Sequence, residues 1–535
     1  MKVVFLNPQQ EMCAIQCLSS VLRRAGHRTA LVNDPNLFDN SYVHHPRLAA
    51  LFDETERIVE SIAAENPDLV AVSVVTDDFK WALKWARRIK ARLALPIVFG
   101  NVHPTYHPKE VLRQDCVDFI VRGEGELTML ELAEALGGGR DLRRVLGLGY
   151  KDGGEIRINP MRPLIEDLDV LPFPDKDLHY DRMPYLNFGY TTMSGRGCPY
   201  RCTFCDNNTS RSVHRSESGR VQKWTRRHSP EYVVREILWA KERYGIAHVR
   251  FNDEDFSYDK RWTREFCALY KEKVGVPYSA WVYPNTIDRE IARLMADSGC
   301  DTVEMGVQSG SEHLRIDLLH RHTKDEQVVE AMEALDAAGI RAKVDVILGL
   351  PTETKADLDA TVRLLSRIRP WNVFAFWLRY YPATEILSIV KERRLLTPEQ
   401  MKELDAEERA RAIADSDGPA SGFWAPNVSQ ESPAPRYLAF IVLIPILPRA
   451  FVDFALRFDL IKLLPGFLNG FFLSNLSQIL RPDPTGEFRV RGRRMLRAEG
   501  WGLLKRTLRR LLPRRLARGK TCASACCPPG GGAIL

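Results

Sequence analysis

The sequence has no uninterrupted apolar run long enough to cross a bilayer. Its greasiest segment, Tyr437 to Leu447, is eleven residues long with Pro445 inside it, whereas a membrane helix needs about 20. A second such stretch, Leu460 to Leu480, is broken by Lys462 and Pro465. A secretory leader is not legible either, because Met1-Lys2 runs straight into the strand-like Val3-Val4-Phe5-Leu6. The eleven cysteines therefore read as thiols of a reducing cytoplasm, not as a disulfide framework. Internal repeats are absent beyond an alternation of strands and helices. A chain-wide basic surface is absent too. The net charge is +7, but 13 Lys/Arg against one acid, Glu499, lie between Arg489 and Lys520, a local +12 that leaves about −5 for the remainder. The basic face belongs to the tail. At 535 residues, 45% hydrophobic and 27% charged, the chain is globular in composition and too long for a single core, so three or so domains are expected.

What is present in abundance of meaning is one short run, Gly197-Cys198-Pro-Tyr-Arg-Cys202-Thr-Phe204-Cys205. The spacing, three residues then two, predicts a loop in which three thiolates converge on one point. Soft thiolates suit iron–sulfur or zinc chemistry. A 4Fe-4S cube needs four ligands, so three cysteines leave one iron open, and an open position goes with chemistry more than with structure. Two alternatives stand beside this. One is a structural zinc site, for which no fourth Cys or His lies nearby at a finger-like spacing. The other is three unrelated buried cysteines.

Around that loop the pattern is α/β. Residues 1–140 alternate buried strands (Leu69–Val75, Pro96–Gly100, Asp118–Val121) with helices (Cys13–Ala25, Phe79–Ala91, Glu126–Leu136), which predicts a doubly wound, Rossmann-like parallel sheet with ligands at the carboxyl ends of its strands. Residues 141–187, with Pro160, Pro163, Pro172 and Pro174, read as an extended linker. Residues 188–395 resume the alternation in about six units, a partial (β/α)6 barrel with its site at the carboxyl face. Residues 396–520 read as helical, amphipathic and basic. Residues 521–535, with Cys522, Cys526 and Cys527 before Pro-Pro-Gly-Gly-Gly, read as a disordered tail.

The cysteine loop, with Phe204 before its last cysteine, resembles the hallmark of the radical S-adenosylmethionine superfamily. The resemblance implies that Cys198, Cys202 and Cys205 are catalytic ligands of a 4Fe-4S cluster. The open iron would chelate S-adenosylmethionine, and the reduced cluster would cleave it to a 5′-deoxyadenosyl radical that takes hydrogen from the substrate. Further motifs follow in family order. Asn252-Asp253-Glu254-Asp255 ends the second barrel strand, and Asp253 and Glu254 are candidates to meet the methionine amino group, with a solvated acidic turn as the alternative. Glu304-Met-Gly-Val-Gln308-Ser309-Gly310 is similar to the ribose-binding fourth strand, with Gln308 in place of the usual Glu. Ile347-Leu-Gly349-Leu-Pro-Thr-Glu353 is similar to the adenine-reading fifth strand, and Tyr381-Pro-Ala383-Thr384 to the end of the sixth, with Ala383 for Gly. His320 and His322 read as solvated surface.

The N-terminal turns, Asn101-Val-His103-Pro-Thr and Arg122-Gly123-Glu124-Gly125-Glu126, resemble the loops of the cobalamin-binding domain that precedes many radical S-adenosylmethionine enzymes. Ser73, Thr76, Gly100, Asn101, His103, Gly123 and Glu124 are the implied cobalamin contacts, with no chemistry assigned to His103. The family commonly has Gly-Gly where this chain has Gly100-Asn101. The Asp-x-His-x-x-Gly motif that supplies an axial histidine to cobalt elsewhere is missing, the early loop reading Asn7-Pro-Gln-Gln. Cobalt without a histidine ligand is therefore expected, as in the methylating branch, and an empty vestigial domain is the alternative.

The resemblance covers roughly residues 1–395. It implies a cobalamin-dependent radical enzyme, a C-methyltransferase at an unactivated carbon first, a non-methylating cyclase or oxidoreductase second, and a sensor without turnover third. It also implies an external reductant such as flavodoxin or ferredoxin. In the tail, Leu503, Leu504, Leu508, Leu511 and Leu512 share one helical face opposite Lys505, Arg506, Arg509 and Arg510. That pattern suggests peripheral contact with anionic membrane at the cytoplasmic face and a lipid or other hydrophobic small-molecule substrate. Packing of the apolar part on the barrel is the alternative, and sparse aromatic interleaving disfavours nucleic acid.

Overall fold

The computed structural model describes residues 1–396, apart from 9, 37–44, 219–221 and 382, together with 398, 401, 432–464 and a few isolated positions beyond. Its first unit is a seven-stranded sheet in the order β2-β1-β3-β4-β5-β6-β7. The strands are β1 (Lys2–Pro8), β2 (Arg28–Asp34), β3 (Leu69–Ser73), β4 (Ile97–Gly100), β5 (Phe119–Val121), β6 (Leu148–Asp152) and β7 (Glu155–Ile158). The first five are parallel. Both faces of this sheet are covered. Val4 and Leu6 enter one apolar core while Val3 and Phe5 enter the other, across the pleat of the same strand. Strand order reverses between β1 and β3, so the crevice of the doubly wound fold opens at their carboxyl ends.

One boundary needs correction. The segment expected as a linker carries β6 and β7, an antiparallel hairpin that extends the N-terminal sheet. Its turn is Gly153-Gly154, both at positive φ (60° and 92°), a conformation glycine enters without steric cost. The hairpin is short, and β7 alternates exposed and half-buried residues, so it shows little of the apolar density that marks the other strands.

The second unit is a six-stranded parallel sheet in the order β8-β11-β12-β13-β14-β15. Its strands are β8 (Gly189–Thr192), β11 (His248–Phe251), β12 (Tyr278–Val282), β13 (Cys300–Gln308), β14 (Arg341–Leu348) and β15 (Asn372–Trp377). Between β8 and β11 in sequence lies a small antiparallel ribbon, β9 (Gly195–Arg196) with β10 (Arg226–Arg227). This is the partial barrel expected from the alternation. Val303, Met305 and Val307 pack outward into the core shared with the surrounding helices. Glu304 and Gly306, alternating with them, face the other way into the barrel interior.

The apolar run near residue 440 is a packing element. Helix Ala434–Ile441 buries Tyr437, Phe440 and Ile441 in the barrel's core cluster, and the Tyr437 hydroxyl donates to Asp359. Among the described residues no helix is long and apolar enough to cross a membrane. The amphipathic segment at 501–512 and the C-terminal cysteines lie outside the described residues.

The two units meet strand-end to strand-end. Asp77, at the end of β3, pairs with Arg379 and accepts from the Tyr381 hydroxyl at 2.9 Å. Glu124, after β5, pairs with Arg196 at 3.2 Å and Arg226 at 2.8 Å. Tyr106 bonds Ser210 at 2.5 Å. The carboxyl faces of both sheets thus enclose common space.

Candidate active site

The cysteine loop owes its shape to a few fixed points. Gly197 stands at φ +81°, and a side chain there would overlap the Trp224 carbonyl, so only glycine brings the chain into Cys198. The Asn207 carboxamide oxygen accepts from the Cys198 N–H at 3.1 Å and from the Trp224 indole at 2.8 Å. Thr203 donates through its N–H to Leu319 and through its hydroxyl to Leu318. Phe204 packs into the apolar cluster with Leu314, Leu318 and Ile347, so it anchors the loop. Cys202 is buried, and Cys198 and Cys205 are half-buried.

Burial, first, and then the neighbouring Glu254 and the other loop cysteines push the Cys198 and Cys205 thiols up to about 12. Each is too costly to ionise alone and becomes a thiolate only with a metal to compensate it. Among the described residues no three His, Cys, Asp or Glu side chains are grouped to hold one metal ion. The three loop thiols act electrostatically on one another. Three neighbouring thiols on one short loop suit the corners of a multi-iron cube.

The three carboxylates after β11 have separate fates. Asp253 is buried and accepts from the Ser194 N–H (3.0 Å) and hydroxyl (2.6 Å), holding the strand end in place. Asp255 is buried against Ser257 and Thr286, and burial pushes it up to about 6. Glu254 is exposed to the opening, hydrogen-bonds the Asn207 side chain and acts electrostatically on Cys198 and Cys205. Of the pair named from sequence, Glu254 faces the thiols and Asp253 supports the loop before them.

Gln308 sits at φ 71° beside a register shift in the β13–β14 pairing, its amide lying against Gly306. Ser309 is buried, its hydroxyl accepting from Ser311 and its carbonyl from Arg315. Ile347 is buried, and Gly349, at φ 74°, donates its N–H to Glu353 at 2.8 Å. Burial pushes Glu353 up to about 8. Tyr381 is held by Asp77 of the other unit.

One residue at the site was not singled out from sequence. Arg321, between the half-buried His320 and the exposed His322, is itself buried. Its guanidinium lies 3.8 Å from the Tyr283 ring centroid, and Tyr283 stacks on Tyr200 of the cysteine loop at 3.7 Å. One Nη donates to the Cys202 sulfur at 3.7 Å and the other to the Gly306 carbonyl. A cation between two histidines on a polar turn looks solvated in sequence; only the return of the chain after the π-type turn Leu314–Leu318 carries it inside.

At the N-terminal strand ends a cavity of about 290 Å³ opens between the units, walled by Ser73, Gly100, Asn101, Gly123 and Glu124, with apolar residues of helix Cys13–Arg24 and of the sheet behind them. Asn101 occupies φ 84°, ψ −162°, a region all but reserved for glycine. Its side chain accepts from the Val102 N–H and donates to Ser73, so the replacement of the usual Gly has local partners. Glu124 is held down to about 2 by Arg196 and Arg226 against its burial. Thr76 and His103 do not line this cavity. They contact each other at 3.3 Å, and burial takes His103 down to about 3. The early loop offers Asn7, buried and bonded to Gln10, with no histidine there. A largely apolar cleft edged by small and amide side chains at a switch point fits a bulky amide-rimmed ligand.

Comparison with known proteins agrees with this geometry. Residues 192–365 match the model of the radical SAM superfamily and residues 9–133 that of the B12-binding domain. The chain is 31% identical over 328 residues to an uncharacterized methyltransferase of Pyrococcus horikoshii, covering 59% of this chain and 67% of that protein. It is 28% identical over 342 residues to the anaerobic magnesium-protoporphyrin IX monomethyl ester cyclase of Rubrivivax gelatinosus, covering 61% of this chain and 59% of the cyclase. Among solved structures, the cobalamin-dependent S-adenosylmethionine radical enzyme OxsB with aqua-cobalamin bound has the same fold, with a TM-score of 0.64 at 16% identity, over 95% of this chain and 80% of that one.

The chain belongs to the radical S-adenosylmethionine enzymes that carry an N-terminal cobalamin-binding domain. Its cofactors are a 4Fe-4S cluster, S-adenosylmethionine and cobalamin.

Proposed function

We propose that this enzyme is a cobalamin-dependent C-methyltransferase acting on an unactivated carbon of a hydrophobic small molecule. The supporting observation is the direct apposition of the two strand-end faces, joined by Asp77–Arg379, Glu124–Arg226 and Tyr106–Ser210. This places the cobalamin domain over the cysteine loop. When bound, the cluster with S-adenosylmethionine supplies a primary carbon radical, and cobalamin a transferable methyl group.

The chain's own residues bind, orient and exclude water. Cys198, Cys202 and Cys205 would hold the cluster. Glu254, at the lip beside the thiols, would accept from an ammonium group, and the backbone around Gly349 would meet a flat base. Ser73, Gly100, Asn101, Gly123 and Glu124 would surround the corrin side. Inside the barrel, Trp281 and Phe376 remain well exposed on the face that also carries Glu304 and Lys343, which supports a substrate with an apolar body.

The P. horikoshii relative named a methyltransferase favours methylation; the cyclase relative keeps a non-methylating radical reaction as the second reading. Product analysis separates them. Methylation consumes two S-adenosylmethionine per product, giving both S-adenosylhomocysteine and 5′-deoxyadenosine. Turnover with deoxyadenosine alone and no added methyl mass would assign the second reading.

We also propose peripheral contact with anionic membrane. Helix Arg449–Arg457 and the residue after it expose Phe451, Phe454 and Phe458 beside terminal arginines. Flotation of the full chain with anionic vesicles at low salt, and its release as salt rises, tests this. Failure to float would remove the main support for a lipid substrate.

A further inference from the structure

The barrel interior carries charges that the strand register keeps apart. On β13 and β14, Val303, Met305, Val344 and Val346 point outward into the helix-covered core, so Glu304, Lys343 and Asp345 point inward. Trp281, Glu304, Lys343 and Asn372 form one row across four strands. The next row toward the carboxyl ends holds Gly306, Asp345 and Phe374. Asp345 is only 5% exposed. Among the described residues neither of its oxygens has a hydrogen-bond or ion-pair partner, and Oδ1 is sealed from solvent. A buried carboxyl without a partner is rare, because nothing offsets its desolvation.

The side chains around Asp345 do not supply that partner. Burial, first, and the charge of Glu304 push its carboxyl up, while Arg321 and Lys343 pull the other way. Arg321 is already committed: it donates to Gly306 and Cys202 and stacks on Tyr283. Half-buried Lys343 lies across the ladder from Glu304 and two residues before Asp345. Its charge acts on both acids, yet among the described residues it forms an ion pair with neither. Glu304, also half-buried, is likewise without a hydrogen bond. Three ionisable groups thus face one space without touching one another. On the flanking strands β12 and β15, Trp281 and Phe376 stay 39% and 45% exposed.

We infer that Glu304, Asp345 and Lys343 hold the head of a substrate that carries both an ammonium and a carboxylate, as an amino acid does, with its apolar body against Trp281 and Phe376. This deepens the proposed substrate with an apolar body and rests on that reading of the barrel interior. The ammonium donates to the two acids and the carboxylate accepts from Lys343, so each group gains the partner that the chain does not bring. A singly charged head satisfies only part of the set. An ammonium alone leaves Lys343 beside it as a like charge, and a carboxylate alone leaves Asp345 unpaired. Charge-assisted hydrogen bonds are about twice as strong as neutral ones, and an aromatic ring face attracts an ammonium further. Asp345 stands two residues before Ile347 and across the ladder from Gly306, deeper in the barrel than the positions that the resemblance gives to S-adenosylmethionine. A head held there leaves the body of the substrate below that cofactor.

The test is calorimetric titration of the full-length enzyme, loaded anaerobically with its cluster, cobalamin and S-adenosylmethionine. Three probes share one phenyl body: L-phenylalanine with both charges, phenethylamine with the ammonium alone, and 3-phenylpropionate with the carboxylate alone. L-Phenylalanine should bind at least about 10-fold tighter than either of the others. Glu304→Gln and Asp345→Asn should each weaken L-phenylalanine and phenethylamine by about 10-fold and spare 3-phenylpropionate. Lys343→Met should show the opposite pattern, weakening L-phenylalanine and 3-phenylpropionate while phenethylamine holds or gains. Binding of either single-charge probe as tightly as L-phenylalanine, or no binding of L-phenylalanine, would overturn the inference, and this arm needs no variant to fold. So would loss of S-adenosylmethionine binding in step with loss of the probes in the acid variants, which would assign both acids to that cofactor. Without reductant nothing turns over, so a failed methylation assay and a failed head-group site are told apart.

Discussion

Arg321 is where a single side chain carries most consequence. A guanidinium that donates to Cys202 while stacked on Tyr283 stabilises negative charge on that sulfur, and hydrogen bonds to ligand sulfurs are one of the levers on cluster potential. Arg321→Met should shift the cluster's midpoint potential downward, making it harder to reduce, in a potentiometric titration followed by electron paramagnetic resonance. Arg321→Lys, which keeps the charge but loses the fork, should shift it less. An unchanged potential in both would reduce Arg321 to a packing residue. Glu353 gives a second measurement. Its folded value, raised to about 8 by burial, lies above that of an unfolded glutamate, about 4.3. Between those limits the folded chain holds a proton that the unfolded chain has released, so stability falls as pH rises through the window, at up to about 1.4 kcal/mol per unit. Glu353→Gln, which keeps an acceptor for the Gly349 N–H, should flatten this fall; melting temperatures at pH 6 and 8.5 would show the variant gaining on the parent at the higher pH. The cysteine spacing made three residues of the site legible. Arg321 and Asn207 were not, because a polar residue's burial depends on what the rest of the chain brings over it.

At the scale of elements, the strand ends decide most. Two departures from the family pattern, Asn101 and Ala383, both fall at positive φ, 84° and 67°. Glycine has no Cβ to strain there, whereas other residues pay about 1–3 kcal/mol at such backbone angles. Asn101 recovers part of this through Ser73 and Val102. Ala383 has no side-chain polar group with which to do so. Ala383→Gly should therefore leave stability unchanged or raise it by up to about 1 kcal/mol, the gain reduced by the extra freedom of glycine in the unfolded chain; a loss above that in urea unfolding would mean the methyl group packs usefully. The long apolar strands and amphipathic helices were readable because their periodicity is set by their own burial. The β6–β7 hairpin was not, since it completes the edge of a sheet with little apolar pattern of its own.

For the molecule as a whole, buried charges bridge the two units. Glu124 bridges Arg196 and Arg226 across their interface, and its carboxyl is held down to about 2. A depressed value means the stabilising contribution is present above the unfolded value near 4.3 and fades as pH falls toward 2. Glu124→Gln should leave Arg226, which is almost fully buried, short of a counter-charge, at a cost of about 3 kcal/mol or more. Limited proteolysis between the units, or small-angle scattering, should show them loosening at neutral pH while each keeps its secondary structure. No change in either would mean that Asp77–Arg379 and Tyr106–Ser210 suffice.

The sequence alone determined the local, self-referring features: a cysteine loop with its three-then-two spacing, strands and helices whose apolar periods declare which side is buried, and the order of motifs along the barrel. The tertiary structure decided what each polar residue does within that frame. It turned Asp253 into a strut and left Glu254 at the opening. It drew Arg321 inward while leaving His320 and His322 outside. It joined a hairpin read as linker to the first sheet, and it packed the apolar run at 437–447 against the barrel. The reason is physical. An apolar residue is buried wherever it can be, so its pattern along the chain tells its place, but a polar or charged residue is buried only where partners from distant segments meet it, and those partners exist only once the chain has folded.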